Sequence, residues 1–304
     1  MSETASGLKS PAITVPCLVA GVMAILKFCV KYALRNVSES TDILLTVSVI
    51  QLVIFILPCI LYYLLKRRRL ETEPFFHLIK PNHLVFVIVS ALFLVCGILL
   101  AKYCQIVIFD DISSTSGFNE VLASGGKELS PAGVFLSCAV IPAVCEELFY
   151  RGVVLSEYRA YGSANAVLVS ALCFAFLHFS FRNFVLYFFA GLVLGMVAVV
   201  TRSLLASVLL HLLSNTLSLY GSDYFLRVTV QKSGELFMGF LLIALFGLSA
   251  VFLLSRLEHV YITYAERPPV GSLPPRSRDH FLRVFFSPSF LVLIAVFIVF
   301  TAFL

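Results

Sequence analysis

The chain has 304 residues, 60% of them hydrophobic and 13% charged, and its mean hydropathy is +0.99. That composition leaves no room for a soluble domain. Successive apolar stretches of about 17 to 25 residues, each long enough to cross a hydrocarbon core, define a polytopic all-α membrane protein. The formal net charge of +5 is gathered in connecting segments, where it reports topology, and no aromatic-plus-basic pattern of a nucleic-acid module accompanies it.

In chain order, residues 1–11 are polar. Residues 13–34 form a first membrane helix, too long and lacking the small-residue cleavage site of a signal peptide. Lys27 and Lys31 share one face near its end, placed to snorkel to an interface. The second span, 43–65, ends in Lys66-Arg67-Arg68-Arg69, the densest positive cluster, which the positive-inside rule puts in the cytoplasm. A third span, 81–108, leads out to an acidic connection over 109–130. The fourth, 132–155, returns inward and the fifth, 164–181, runs outward. The sixth, 184–200, carries Gly191 and Gly195 as a small-xxx-small packing face. The seventh covers 204–220 and the eighth 236–254. A basic, proline-rich connection (258–283) follows, and a last span starts at Ser287-Pro288.

This reading gives a transmembrane bundle of about eight to nine spans, with a catalytic core of four consecutive helices. Residues 1–130 supply N-terminal helices and an outer loop, 131–220 the core, and 221–304 the C-terminal helices with their basic cytoplasmic loop. The N-terminus is expected inside and the C-terminus outside. The 8 cysteines are scattered without a Cys-x-x-Cys pair, which speaks against a disulfide framework or a thiolate zinc site.

The polar chemistry sits in three places. After an uncharged run over 131–145 comes Glu146-Glu147-Leu148-Phe149-Tyr150-Arg151. A charge at bilayer depth costs roughly 2.5 to 3.5 kcal/mol on insertion scales, so such groups face a bundle interior or a cavity. Glu147 and Arg151 stand one helical turn apart and form an i,i+4 pair; Glu146 points about 100° away and is free for chemistry. The fifth span carries Phe174 and, one turn on, His178. The seventh carries His211 and Asn215 on one face. Each group has a bland reading, as a structural ion pair, a hydrogen-bonded histidine or helix–helix glue. Together, two carboxylates, two histidines and an amide make a set able to activate water and stabilise an oxyanion.

In this order, Glu146-Glu147-x-x-x-Arg151, Phe174-x-x-x-His178 and His211-x-x-x-Asn215 resemble the CPBP family of intramembrane peptidases. That family includes type II CAAX prenyl endopeptidases and bacterial proteins linked to bacteriocin processing or self-immunity. The resemblance covers residues 131–220. It implies an intramembrane protease in which the first glutamate acts on water. Glu146 is then the base, with His178 positioning or polarising the water. His211 and Asn215 donate to the oxyanion, and Glu147, Arg151 and Phe174 support them. A rival uses zinc held by Glu146, His178 and His211. The amide of Asn215, a poor zinc ligand, favours the metal-free form.

The expected partners are a peptide or protein C-terminal substrate and membrane lipid, with no nucleic acid. The compact length favours a bacterial plasma-membrane protein whose site opens to the cytoplasm. Two other functions fit the same residues: a non-catalytic peptide-binding immunity protein, and an ion or proton pathway. One geometric tension stands out. At about 1.5 Å per residue, His178 lies about 21 Å along the fifth span, but His211 only about 10 Å along the seventh.

Overall fold

Apolar segments inside a bilayer must satisfy their own backbone N–H and C=O groups, which leaves the helix as the form open to runs of this length. The computed structural model describes residues 11–36, 40–66, 77–109, 130–221, 224–225, 232–266 and 277–303. Among these it contains helices and no strand. Arg67 to Arg69, the acidic connection's Asp110, Asp111, Glu120 and Lys127, and Arg267 and Arg276 lie outside the described residues.

Helix α1 is Pro11–Asn36, and α2 covers residues 40–66 through a π-helical turn at Leu52–Ile56. A 3-10 turn, Pro81–His83, opens α3, Leu84–Phe109. Helix α4, Pro131–Tyr158, contains two π-helical segments, Leu136–Val140 and Leu148–Leu155. It is followed by α5 (Ser163–Leu177), α6 (Phe184–Thr201) and α7 (Leu204–Gly221). The last three are α8 (Lys232–Glu266), α9 (Ser277–Phe285) and α10 (Pro288–Phe303). Among the described residues, 6 helices are long and apolar enough to cross a membrane, and three shorter apolar ones, Thr14–Cys29, Ser163–Leu177 and Pro288–Phe303, fill the remaining expected stretches.

Two boundaries differ from the expectation. The fifth span ends at Leu177 rather than at residue 181. There the N–H groups of His178 and Phe179 donate to the carbonyls of Ala175 and Phe176, tightening the last turn, and Phe179 takes a positive φ of 45° that no helix continues. The eighth helix runs on to Glu266, so the basic connection begins as helix. Lys27 places its ammonium 4.9 Å from the centre of the Phe179 ring.

Helix α4 is the centre of the bundle: Phe149, Tyr150, Val153, Val154 and Leu155 are fully buried. On one side it meets α2, with the Phe55 and Phe149 rings 5.8 Å apart. On another, α5 reaches it through Ser170 Oγ, which donates to the Tyr150 carbonyl at 3.1 Å. Helix α6 closes on α5 so tightly that a Cβ at Gly191 would lie 2.8 Å from Ala171 Cα, and one at Gly195 would lie 3.2 Å from Val167. This is the close approach predicted for that pair of glycines. Outside the core, α8 flanks α3 through stacked Phe93 and Phe246, and α10 joins α1 through Phe28 and Phe300. Much of the outer face is apolar: Phe237, Phe240 and Leu248 on α8 are each about 70% exposed, which suits a lipid solvent.

Candidate active site

The one-turn spacing on α4 brings Arg151 Nη1 to 2.7 Å from Glu147 Oε1, both side chains wholly buried. Two charges withdrawn from solvent need further partners, and this pair has several, although Arg151 Nε and Glu147 Oε2 stay unpartnered. Here Arg151 Nη2 donates to the Gly191 carbonyl at 3.1 Å, and the guanidinium carbon lies 5.1 Å from the centre of the Phe174 ring. Glu147 Oε1 is also 2.9 Å from His211 Nδ1. A carboxylate held by arginine accepts, so Nδ1 carries the proton. That fixes the opposite pole of the ring: His211 Nε2 faces Glu146, 4.0 Å from Oε2.

Glu146 differs from its neighbour. Its side chain keeps 13% exposure, while Oε2 is buried without a hydrogen-bond partner. The adjacent glutamate is committed to Arg151 and His211. Glu147 Oε2 is likewise without a partner, but only Glu146 lacks an ion pair within one turn of its own helix and keeps partial exposure.

His178 ends α5. Its Nδ1 lies 2.9 Å from the Phe174 carbonyl oxygen, which can only accept, so Nδ1 is protonated and Nε2 bears a lone pair. The Phe174 ring centre lies 4.8 Å from that of His178 and 5.4 Å from that of His211. One phenyl therefore spans the axial offset between the two imidazoles. The mismatch in depth anticipated from the sequence is bridged by the Phe174 ring, one turn below His178.

Asn215 faces α4, as its spacing from His211 requires. Its Nδ2 donates to the Ala139 carbonyl at 3.4 Å, seven residues before Glu146 and within a π-helical segment. Among the described residues, no three His, Cys, Asp or Glu side chains are gathered as a group able to hold a metal ion.

Two participants were invisible in the sequence. Tyr187 on α6 stacks on His178, with ring centres 3.7 Å apart and planes 20° from parallel. The Gly191 carbonyl, one turn further on, holds Arg151. A tyrosine and a glycine in an apolar helix read as packing, and their one-turn spacing gains meaning only when the helix facing them is known.

The fold is an all-α membrane bundle whose central helices carry carboxylates, histidines and an amide. Residues 128–217, which contain nearly the whole of α4 to α7, match the family model of type II CAAX prenyl endopeptidases, Rce1-like. The match supports membership of the CPBP/CAAX protease family over that segment, and in general terms it supports the activity of a CAAX-type intramembrane endopeptidase. No curated protein and no solved structure matches the chain.

Proposed function

We propose that the protein hydrolyses a peptide bond near the cytoplasmic leaflet by a metal-free, glutamate-driven mechanism. Glu146 takes one proton from water as the water oxygen attacks the carbonyl carbon. The Nε2 lone pair of His178 accepts the water's second hydrogen and aims the nucleophile. The developing oxyanion is met by His211 Nε2–H and the free N–H of Asn215. On collapse Glu146 returns its proton to the leaving nitrogen and the C–N bond breaks.

One observation carries this reading: the two nitrogens of His211 bridge the two glutamates, at 2.9 Å to Glu147 and 4.0 Å to Glu146. With Nδ1–H committed to Glu147, His211 can donate from Nε2 only as imidazolium, and the buried Glu147 carboxylate supports that charge. The family match favours a C-terminal tail carrying a prenylated cysteine as substrate, ahead of a leader-type peptide.

The test uses one purified, detergent-solubilised preparation, assayed for bound metal and for cleavage of an internally quenched peptide with a farnesyl-cysteine near its C-terminus. The same peptide without the farnesyl group serves as the comparison. Cleavage of the farnesylated peptide without stoichiometric metal, abolished by Glu146→Gln, is the expected result. Stoichiometric zinc with activity lost on chelation would overturn the metal-free mechanism. Binding of the peptide without cleavage by the wild type would replace the enzyme reading with that of a peptide-binding immunity protein.

A further inference from the structure

We propose that Tyr187 is a positioning residue for His178, its ring forming the flat wall that sets the direction of the Nε2 lone pair. The inference rests on the reading above, in which that lone pair aims the water.

His178 stands where a helix gives least control. It closes α5, the bond from its N–H reaches back only three residues, and Phe179 beyond it is left-handed. The hydrogen bond from Nδ1–H to the Phe174 carbonyl pins one atom of the imidazole and leaves the ring free to swing about it. Phe174 meets that ring at 55°, a tilted contact that limits the swing without ending it. Tyr187 supplies what is missing. At 3.7 Å and 20° the phenol lies flat against the imidazole, and any swing drives one ring into the other.

The wall is itself fixed. Tyr187 stands one turn before Gly191, whose carbonyl accepts from Arg151 and whose backbone is pressed against Ala171. Helix α6 cannot slide along α5 without breaking both contacts. One face of α6 therefore serves both histidines, His178 through the Tyr187 ring and His211 through Arg151 and Glu147. The phenol presents its face to the imidazole, so the aromatic ring and not the hydroxyl is the working part.

Three variants and two readouts test this. With the quenched farnesyl-peptide, Tyr187→Phe keeps kcat within about 3-fold of wild type, because stacking survives. Tyr187→Leu lowers kcat on the order of 10- to 100-fold with KM within about 3-fold, since the loss is one of orientation. In spectra of protein labelled with 15N-histidine, the Nδ1–H signal of His178 is sharp in wild type and Tyr187→Phe and broadened in Tyr187→Leu. Should Tyr187→Leu not fold, Tyr187→Met enters the same comparison.

Wild-type kcat in the aliphatic variant, or an unchanged His178 signal, would overturn the proposal. So would a Tyr187→Phe loss as large as that of Tyr187→Leu, which would transfer the role to the hydroxyl. His178→Ala separates the two levels of inference. If it cleaves like wild type, the catalytic reading of His178 fails, while the spectra still decide whether Tyr187 orients the ring.

Discussion

The two sides of the site are built to opposite standards. On one, Arg151, Glu147 and His211 form a closed relay, wholly or almost wholly buried, in which the guanidinium also reaches the Gly191 carbonyl. On the other, Glu146 keeps partial exposure and an unpartnered Oε2, and His178 presents a bare Nε2 at the end of a helix. Adjacent glutamates in one turn of α4 thus face different demands. Glu147 is anchored through Oε1 by Arg151 and His211 and leaves only Oε2 unpartnered; Glu146 has no such anchor and keeps partial exposure. The difference teaches that two adjacent glutamates in an apolar helix can be given different surroundings, one locked against an arginine and a histidine and the other left without an ion pair on its own helix.

Each side can be broken separately. Glu146→Gln removes the base: cleavage falls on the order of 10²- to 10⁴-fold, and the thermal unfolding midpoint in detergent stays within a few degrees because no buried pair is split. Arg151→Met gives the reverse pattern. It strands Glu147 in the core and costs about 3 to 5 kcal/mol of stability, read as a large fall in the same midpoint and in folded yield. A result in which Glu146→Gln unfolds the protein and Arg151→Met does not would invert the comparison.

Smaller effects sharpen it. Asn215→Ala lowers kcat by about 100- to 1,000-fold with little change in KM, the loss typical of one oxyanion donor. Steady-state kinetics on the quenched peptide would check this, and a change confined to KM would assign Asn215 to substrate binding. Gly191→Ala forces a Cβ to within 2.8 Å of Ala171 Cα and costs about 1 to 3 kcal/mol by overpacking. It is expected to loosen both histidines together, seen as lower stability and lower kcat in one variant. Chelation is the smallest change: treatment with 1,10-phenanthroline leaves the initial rate unaltered.

The apolar helices were legible because each run is long enough to demand a helix of its own, and the Glu147–Arg151 pair because both partners lie in one turn of one helix. Gly191 and Gly195 announced a close approach for the same local reason. What crosses between helices was not legible. The bond from His211 to Glu147 depends on the rotation of α7 about its axis, which a sequence of apolar residues does not specify. The meeting of His178 with His211 hung on Phe174, whose ring spans an offset that straight-helix arithmetic left open. The end of α5 at Leu177 was not legible because Phe179 and Phe181 prolong the apolar pattern around His178 and Ser180, while a positive φ at Phe179 carries no signature in a non-glycine residue. Asn215 was placed on the correct face, but its acceptor is a main-chain carbonyl that side-chain patterns do not show.

That carbonyl belongs to a wider feature of α4. Four backbone oxygens that receive side-chain donors, Ala139 from Asn215, Tyr150 from Ser170, Arg151 from Ser156 and Gly152 from Tyr63, lie in its two π-helical segments, and a fifth, Pro131 from Tyr220, lies in its first turn. Widened turns trade axial bonds for lateral ones. A helix tied in this way has little independent melting behaviour. Amide hydrogen exchange along α4 should rise and fall with that of α2, α5 and α7 as one cooperative unit, so the segment carrying Glu146 opens only when its neighbours do.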